Sequence, residues 1–155
     1  MMTALSGGRQ ARVLLVEDNE ADVRLTREAL RESGEPVRMT SVTDGELAMS
    51  YLRQEAGYED VSRPDLILLD LNLPRKNGLE VLEEMRADPD LACIPVIMLT
   101  TSSAEHDIVA CYSRGANCFV VKPLELDAFM DLIGAIRSFW LEVARLPSGY
   151  RWRTS

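Results

Sequence analysis

The chain has 155 residues, a formal net charge of -8, and a composition of 46% hydrophobic and 27% charged residues. This length is typical of one domain, and this composition is typical of a globular protein. The negative charge argues against duplex nucleic acid as a partner, because affinity for DNA depends on cationic side chains that neutralise phosphates. No apolar run approaches the roughly 20 residues of a membrane-spanning helix, so no membrane partner is expected.

The two ends of the chain differ in character from the middle. Residues 1–11 are small and polar and lack the apolar core of a signal peptide, which predicts a disordered leader. Residues 12–147 are predicted to form one domain, followed by a tail, 148–155, whose Arg151-Trp152-Arg153 run has no assigned role. The odd number of cysteines, with no C-x-x-C pair, predicts neither a disulfide scaffold nor a zinc site. We expect a cytoplasmic protein.

Apolar runs and helical patterns alternate five times along the chain. Strands are predicted at residues 12–16, 37–42, 66–69, 96–99 and 118–121. The first, third and fourth are nearly continuous apolar runs, which are typical of strands buried in a parallel sheet. Helices are predicted from Asn19 or Glu20 to about Arg31, from Gly45, after Asn77-Gly78, over about 104–114, and from about Leu124.

Five strand–helix units joined by short loops predict an α/β fold with right-handed crossovers. We expect a flavodoxin-like (βα)5 three-layer sandwich with the strand order 2-1-3-4-5. Polar residues follow four of these strands directly: Glu17-Asp18, Asp70, Thr100 and Lys122. Because binding sites in open α/β sheets form outside the carboxyl ends of the strands, these side chains should converge. Three carboxylates, a hydroxyl and an ammonium would make a pocket for a cation and a phosphoryl group.

The same strand ends carry a family resemblance over about residues 12–136. The motifs are Val16-Glu17-Asp18-Asn19, Leu68-Leu69-Asp70-Leu71-Asn72-Leu73-Pro74 with Gly78, Leu99-Thr100, and Val121-Lys122-Pro123. Together they resemble the receiver domain of bacterial two-component response regulators. Within that family, Leu73-Pro74-Arg75-Lys76-Asn77-Gly78, Thr100-Thr101-Ser102 and Phe139-Trp140-Leu141 are similar to single-domain regulators that partner bacterial phytochrome histidine kinases. The resemblance implies a signalling receiver in a phosphorelay rather than an enzyme.

A divalent cation is expected at these carboxylates. Mg²⁺ prefers oxygen ligands and retains several waters, and Mn²⁺ is an alternative occupant. Asp18 and Asp70 are the expected direct ligands, and Glu17 is expected to act through water because its side chain is longer and one residue earlier. The resemblance adds the backbone carbonyl of Asn72 as a ligand. Asp70 would then be the phosphoacceptor, since a carboxylate can take a phosphoryl group as an acyl phosphate. The donor implied by the family is a partner histidine kinase.

Lys122, Thr100 and Phe119 are expected to respond to the phosphoryl group. Lys122 would supply a point charge beside Asp70, and the resemblance implies a cis Lys122-Pro123 peptide that aims this ammonium. The hydroxyl of Thr100 could bond a phosphoryl oxygen and draw the next loop inward, which would let Phe119 change rotamer. Simple core packing is the alternative role of Phe119.

Other interpretations remain open from the residues alone. Asp18 could only cap the following helix, and Lys122 could be an ordinary surface lysine. A haloacid-dehalogenase-type phosphatase also uses a strand-end Asp and magnesium, but that chemistry needs a second acid two residues later, where this chain has Asn72. A metal-free protein-binding module on the same scaffold is a third possibility.

The last helix is predicted to be long, with apolar residues at a 3-4 spacing for about six turns, which is more than a five-stranded sheet can cover. The overhang would expose Phe139, Trp140 and Val143. We expect these three residues to form a homodimer contact; folding of the segment onto its own domain is the alternative.

Overall fold

The structure, a computed structural model, describes residues 10–32 and 34–147. Residues 1–9 of the predicted leader and the whole predicted tail, 148–155, therefore lie outside the described residues. The elements follow one another in strict alternation: β1 (Ala11–Val16), α1 (Glu20–Arg31), β2 (Val37–Val42), α2 (Gly45–Arg53), β3 (Leu66–Leu69), α3 (Gly78–Ala87), β4 (Val96–Thr100), α4 (Glu105–Ser113), β5 (Cys118–Val121) and α5 (Leu126–Ser138). Ala11 belongs to β1, one residue before the predicted domain start.

The five strands form one parallel sheet in the order β2-β1-β3-β4-β5, which confirms the predicted fold and topology. The strand order reverses at β1, which pairs with both β2 and β3. Val16 is in register with Val42 of β2 on one side and with Leu69 of β3 on the other. The residues that follow Val16 and Leu69 therefore start from adjacent points on the same edge of the sheet. This is the switch point at which parallel α/β sheets bind ligands.

The sheet separates two hydrophobic layers. Leu14 and Val16 of β1 face a core that is shared with α2, α3 and α4, whereas Val13 and Leu15 face a core shared with α1 and α5. Successive side chains of a strand point to opposite faces, so a strand covered on both faces must be apolar throughout. This explains why β1, β3 and β4 are nearly continuous apolar runs.

Three helices begin at capping side chains. The side chain of Asn19 accepts the backbone N–H of Asp22 at the start of α1, and Asp44 accepts that of Leu47 at the start of α2. Asn77 forms a reciprocal capping box with Glu80 at the start of α3. Because Asn19 caps α1, Asp18 is left free to face the edge of the sheet. No helix within residues 10–32 and 34–147 is long and apolar enough to cross a membrane.

The last helix does extend beyond the sheet as predicted, but the prediction that it stays a regular α-helix is wrong. After Ser138 the chain forms one π turn, Phe139–Val143, and Ala144 is already extended. A π turn places an additional residue in the turn, which rotates the following side chains relative to an α-helix. Leu141 is consequently buried against the core on the α1 and α5 side, while Phe139 and Val143 are exposed by 53% and 67%. Leu146, beyond the turn, is buried against the same core. Trp140 is only partly exposed and packs against that same core.

Candidate functional site

Three carboxylates meet at the carboxyl edge of the sheet. One oxygen each from Glu17, Asp18 and Asp70 lies within 4.8 Å of the others. Glu17 and Asp70 are buried, whereas Asp18 is exposed at the mouth of the group. Their backbones are fixed by the sheet, since the N–H of Glu17 donates to the carbonyl of Val42 and that of Asp70 to the carbonyl of Val16. The predicted convergence of the strand ends is therefore present.

Lys122 reaches this group from the end of β5, on the other side of β3 and β4. Its side chain is 6% exposed, and Nζ donates to Glu17 Oε1, to Asp22 Oδ2 at 2.9 Å and to Asp70 Oδ2 at 3.4 Å. Burial by itself would lower the pKa of Lys122, but the bonds to Glu17 and Asp22 and the charge of Asp70 outweigh it, so the pKa is raised. Lys122 is thus a buried ammonium that is ion-paired with the acidic group and not a surface lysine.

The expectation of a cis peptide at Lys122-Pro123 is wrong, because no peptide bond of the described residues is cis. The ammonium reaches three carboxylates with a trans bond. Its direction is set by β5, whose backbone is fixed where the N–H of Lys122 donates to the carbonyl of Thr100 at 2.7 Å.

Glu17 is the inner member of the acidic group. Its carboxylate accepts the N–H of Asn19 at 3.0 Å as well as the ammonium of Lys122. Burial raises the pKa of Glu17, while the bond and charge of Lys122 oppose that rise. The Glu17 oxygens are therefore partly committed within the protein, whereas Asp18 has no ion pair or side-chain hydrogen bond within the described residues.

The loop after β3 holds Asp70 in place. Asp70 Oδ1 accepts the N–H of Asn72 at 3.3 Å, so the loop turns tightly around this carboxylate. Gly78 packs on the same turn: a Cβ at this position would lie 2.3 Å from the carbonyl oxygen of Asp70. Glycine is thus required for the start of α3 to approach the backbone of Asp70.

Thr100 and Phe119 lie on the neighbouring strands β4 and β5. Thr100 is fully buried, and its Oγ1 accepts the N–H of Ser102 at 3.4 Å. Ser102 in turn donates its hydroxyl to Asp107 Oδ2 at 2.6 Å, which ties the β4–α4 loop to the first turn of α4. Phe119 is partly buried against the α2, α3 and α4 core, and its backbone N–H donates to the hydroxyl of Tyr112.

The donor set suits a hard divalent cation. All three side chains offer carboxylate oxygens, and one of them stands at the solvent-facing mouth, where an ion that retains several waters can enter. Grouped carboxylates repel one another, and the single ammonium of Lys122 does not balance four nearby acidic groups, including Asp22. A bound cation would relieve that repulsion.

Sequence reasoning missed two residues of this site. Asp22 lies in the first turn of α1 and bonds Lys122, and the signal was an acid in that turn, four residues after Asp18. Asp107 holds Ser102, and its signal was an acid in the first turn of α4, five residues later.

Comparison with known proteins agrees with this arrangement. Residues 13–134 match the family model of the response regulator receiver domain, so the chain belongs to that family. The expected family is thereby confirmed. Among curated proteins, the chain is 46% identical over 136 residues to the response regulator Rcp1 of Synechocystis sp., an alignment that covers 88% of this chain and 92% of Rcp1.

Solved structures give the same result. The phosphorylated cyanobacterial phytochrome response regulator RcpA matches with a TM-score of 0.88 and 49% identity, over 90% of this chain and 100% of RcpA. The Mn²⁺-bound form of Rcp1 matches with a TM-score of 0.85 and 46% identity, over 88% of this chain and 99% of Rcp1. The bacteriophytochrome response regulator RtBRR matches with a TM-score of 0.70 and 38% identity, over 95% of this chain and 82% of RtBRR.

Proposed function

We propose that this response regulator receives a phosphoryl group on Asp70 from a partner histidine kinase in the presence of Mg²⁺. The observation that carries the proposal is the buried contact of Lys122 with Asp70. It lies in a group of carboxylates whose oxygens are within 4.8 Å of one another and suit a divalent cation. Asp70 is the one member of the group that both touches the ammonium and follows the central strand β3. It is therefore the carboxylate best prepared to become an acyl phosphate.

Asp18, Asp70 and the backbone carbonyl of Asn72 would hold the ion directly, with Glu17 acting through water. When bound, the cation disperses the negative charge of the phosphoryl group during transfer. An oxygen of Asp70 attacks phosphorus, the phosphorus–nitrogen bond of the donor phosphohistidine breaks, and the electron pair stays on the imidazole. The ammonium of Lys122, 3.4 Å from Asp70 Oδ2, would balance the charge added to Asp70.

Thr100 and Phe119 would transmit the phosphorylation signal. The hydroxyl of Thr100 would donate to a phosphoryl oxygen, and the β4–α4 loop would move with it, because Thr100 Oγ1 already bonds the N–H of Ser102. Movement of that loop changes the space next to Phe119, which is only partly buried. The output would be a changed surface for protein partners, with no catalytic turnover of an external substrate.

A cytoplasmic phytochrome-type histidine kinase is the partner we favour, because Rcp1, RcpA and RtBRR are similar over most of this chain. We further propose a homodimer through the C-terminal π turn, with Phe139, Trp140 and Val143 at the contact. Two of these side chains are more than half exposed. A phosphatase of the haloacid-dehalogenase type is disfavoured, because Asn72 cannot act as the second acid.

The test is chemical labelling of the full chain with a small phosphodonor, such as acetyl phosphate, followed by intact-mass measurement. We expect one Mg²⁺-dependent, hydroxylamine-sensitive phosphoryl group in the wild type and none in Asp70→Asn. Asp131→Asn, which removes an exposed carboxylate of α5, is the matched control and should label fully. Labelling that persists in Asp70→Asn would refute the assignment.

A further inference from the structure

A polar cavity lies at the amino-terminal end of the sheet, opposite the acidic group at its carboxyl end. It has a volume of about 310 Å³ and is lined by the amino-terminal parts of β1 and β2, by α2 and by the loop before β3. Its polar lining residues include Arg12, Arg38, Thr40, Tyr51 and Ser62. Two guanidinium groups and three hydroxyl-bearing side chains thus border one cavity.

The two arginines are cross-strand neighbours. Arg12 of β1 is in register with Arg38 of β2. Side chains alternate along a strand, so Arg12 shares the face of Leu14 and Val16, and Arg38 shares the face of Val42, which belongs to the same core layer. Both guanidinium groups therefore project on one face of the sheet. Like charges on directly opposite residues destabilise a sheet unless something neutralises them.

Within the part of the chain that the structure describes, the two arginines receive little neutralisation. Within residues 10–32 and 34–147, neither guanidinium forms an ion pair within 4.0 Å or a side-chain hydrogen bond. Asp60 also lines the cavity; it is exposed, as is Arg38, whereas Arg12 is partly buried, and Asp60 forms no ion pair with either arginine. Asp65 Oδ2 accepts the backbone N–H of Arg12 at 2.8 Å. The chain carries 17 basic and 25 acidic residues, a net charge of -8, so its average charge does not favour anion binding.

We propose that this cavity is a binding site for a small phosphate-type oxyanion, held between Arg12 and Arg38. The planar fork of arginine matches the oxygens of phosphate, and charge-assisted bonds of this kind are stronger than neutral ones. Thr40, Tyr51 and Ser62 supply hydroxyls for the remaining oxygens. A cavity of about 310 Å³ exceeds what free phosphate needs, and Val61 and Pro64 give it an apolar wall. Free phosphate and the phosphate group of a small phosphomonoester share this chemistry.

The proposal does not rest on phosphorylation of Asp70. The arginine pair lies near the amino-terminal ends of β1 and β2, whereas the acidic group follows the carboxyl ends of β1 and β3. In a metal-free buffer containing a chelator, the acidic group should not bind the anion, because uncompensated carboxylates repel anions. Any binding then reports on the arginine pair.

The experiment is a titration of the full chain with inorganic phosphate in chelator, at constant ionic strength set with chloride. Binding is followed by NMR of the arginine Nε–Hε groups, and adenosine monophosphate is titrated in a second arm. We expect saturable shifts at Arg12 and Arg38, and affinity at least about tenfold lower in Arg12→Gln and Arg38→Gln, which corresponds to the loss of one charge-assisted bond. Arg31→Gln removes the same charge from the exposed end of α1, outside the cavity lining, and should bind as the wild type does.

The two arms distinguish the source of the phosphate. Tighter binding of adenosine monophosphate assigns the site to phosphomonoesters, and equal or weaker binding assigns it to free phosphate. Thermal unfolding without phosphate provides a check on folding: Arg38→Gln should unfold at the wild-type temperature or above, because one of two repelling charges is gone. The proposal is overturned by shifts that do not saturate beyond chloride, by an equal loss in Arg31→Gln, or by an Arg38→Gln variant that is destabilised in phosphate-free buffer.

Discussion

At the scale of single residues, Lys122 organises the phosphoacceptor site by dividing the carboxylates into two kinds. Glu17 and Asp22 are bonded to the ammonium, and Asp70 is within reach of it at 3.4 Å. Asp18 stays exposed and outside this network. The division explains how a buried acidic group can be kept ready for a cation: the lysine limits the repulsion, and one carboxylate remains available to solvent.

This division predicts unequal effects of two substitutions on cation binding. Asp18→Asn should weaken Mg²⁺ binding by well over tenfold, because it removes a free ligand with a full charge. Glu17→Gln should weaken binding less, since the Glu17 carboxylate is already occupied by Lys122 and the N–H of Asn19. Isothermal titration calorimetry measures both, with the exposed Asp131→Asn as the control for charge alone. Equal losses in the two variants would mean that Glu17 and Asp18 share the ligand role.

At the scale of elements, the C-terminal π turn depends on a buried arginine. Arg137 is 3% exposed, and its guanidinium donates to the carbonyls of Leu30 and Glu35 and to the carboxylate of Glu142. Arg137 and Glu142 are five residues apart, a spacing that a π turn brings onto one face. The arginine therefore joins the end of α1, the loop after it and the π turn into one unit.

We expect Arg137→Ala to destabilise the fold by on the order of 3 kcal/mol, because it leaves Glu142 and two carbonyls without their buried partner. The measurement is the free energy of unfolding from urea titration. Arg31→Ala, an exposed arginine at the end of α1, should change it by no more than about 0.5 kcal/mol. A cost below about 1 kcal/mol for Arg137→Ala would show that water replaces its bonds and that the π turn stands without it.

Two glycines offer an independent test of the same unit. Gly34 and Gly57 both have positive φ, 72° and 99°, so alanine is strained at either position. A Cβ at Gly34 would also lie 2.2 Å from a nitrogen of Arg137, whereas nothing lies within 4 Å of one at Gly57. Gly34→Ala should therefore lower the free energy of unfolding, measured by urea titration, more than Gly57→Ala does. Equal losses would mean that the Arg137 side chain moves aside freely.

At the scale of the whole molecule, we compare two of the exposed apolar surfaces of residues 10–32 and 34–147 as sites of self-association. One is the C-terminal π turn, where Phe139 and Val143 are exposed and Phe139 packs edge-to-face on Trp140. The other lies on α4 and β5, where Val109, Tyr112 and Val121 are exposed by 55%, 49% and 41%. Both consist of residues that a symmetric contact would bury twice.

We predict that the dimer uses the π turn. Phe139→Ser with Val143→Ser should shift the protein towards monomer by at least about tenfold in dissociation constant, measured by analytical ultracentrifugation with and without phosphodonor. Trp140 is left unchanged because it packs against its own domain, so its removal would also disturb the fold. Val109→Ser with Tyr112→Ser is the matched control on α4. A wild type that is monomeric at tens of micromolar refutes the dimer, and a dimer lost only in the α4 variant moves the contact there.

The fold and the acidic group were predictable from sequence because both depend on local patterns. Each strand is a short apolar run, each connection is short, and a parallel sheet brings all carboxyl ends to one edge. Once the order 2-1-3-4-5 is accepted, the meeting of Glu17, Asp18 and Asp70 follows from their positions one or two residues after a strand. The pairing of Lys122 with Asp22 was less accessible, since it requires the distance between β5 and α1 across the sheet.

Only the tertiary structure decided which apolar residues of the last helix face the core. The 3-4 spacing predicts a regular helix that projects past the sheet with Phe139, Trp140 and Val143 exposed. The structure instead has a π turn at Phe139–Val143, which leaves Phe139 and Val143 exposed but lets Trp140 pack against the core and buries Leu141. The register of Arg12 with Arg38 is likewise a property of the assembled sheet. In both cases the deciding interaction joins residues that are distant in the chain or lies in a departure from regular helical geometry, and periodicity along the sequence carries no information about either.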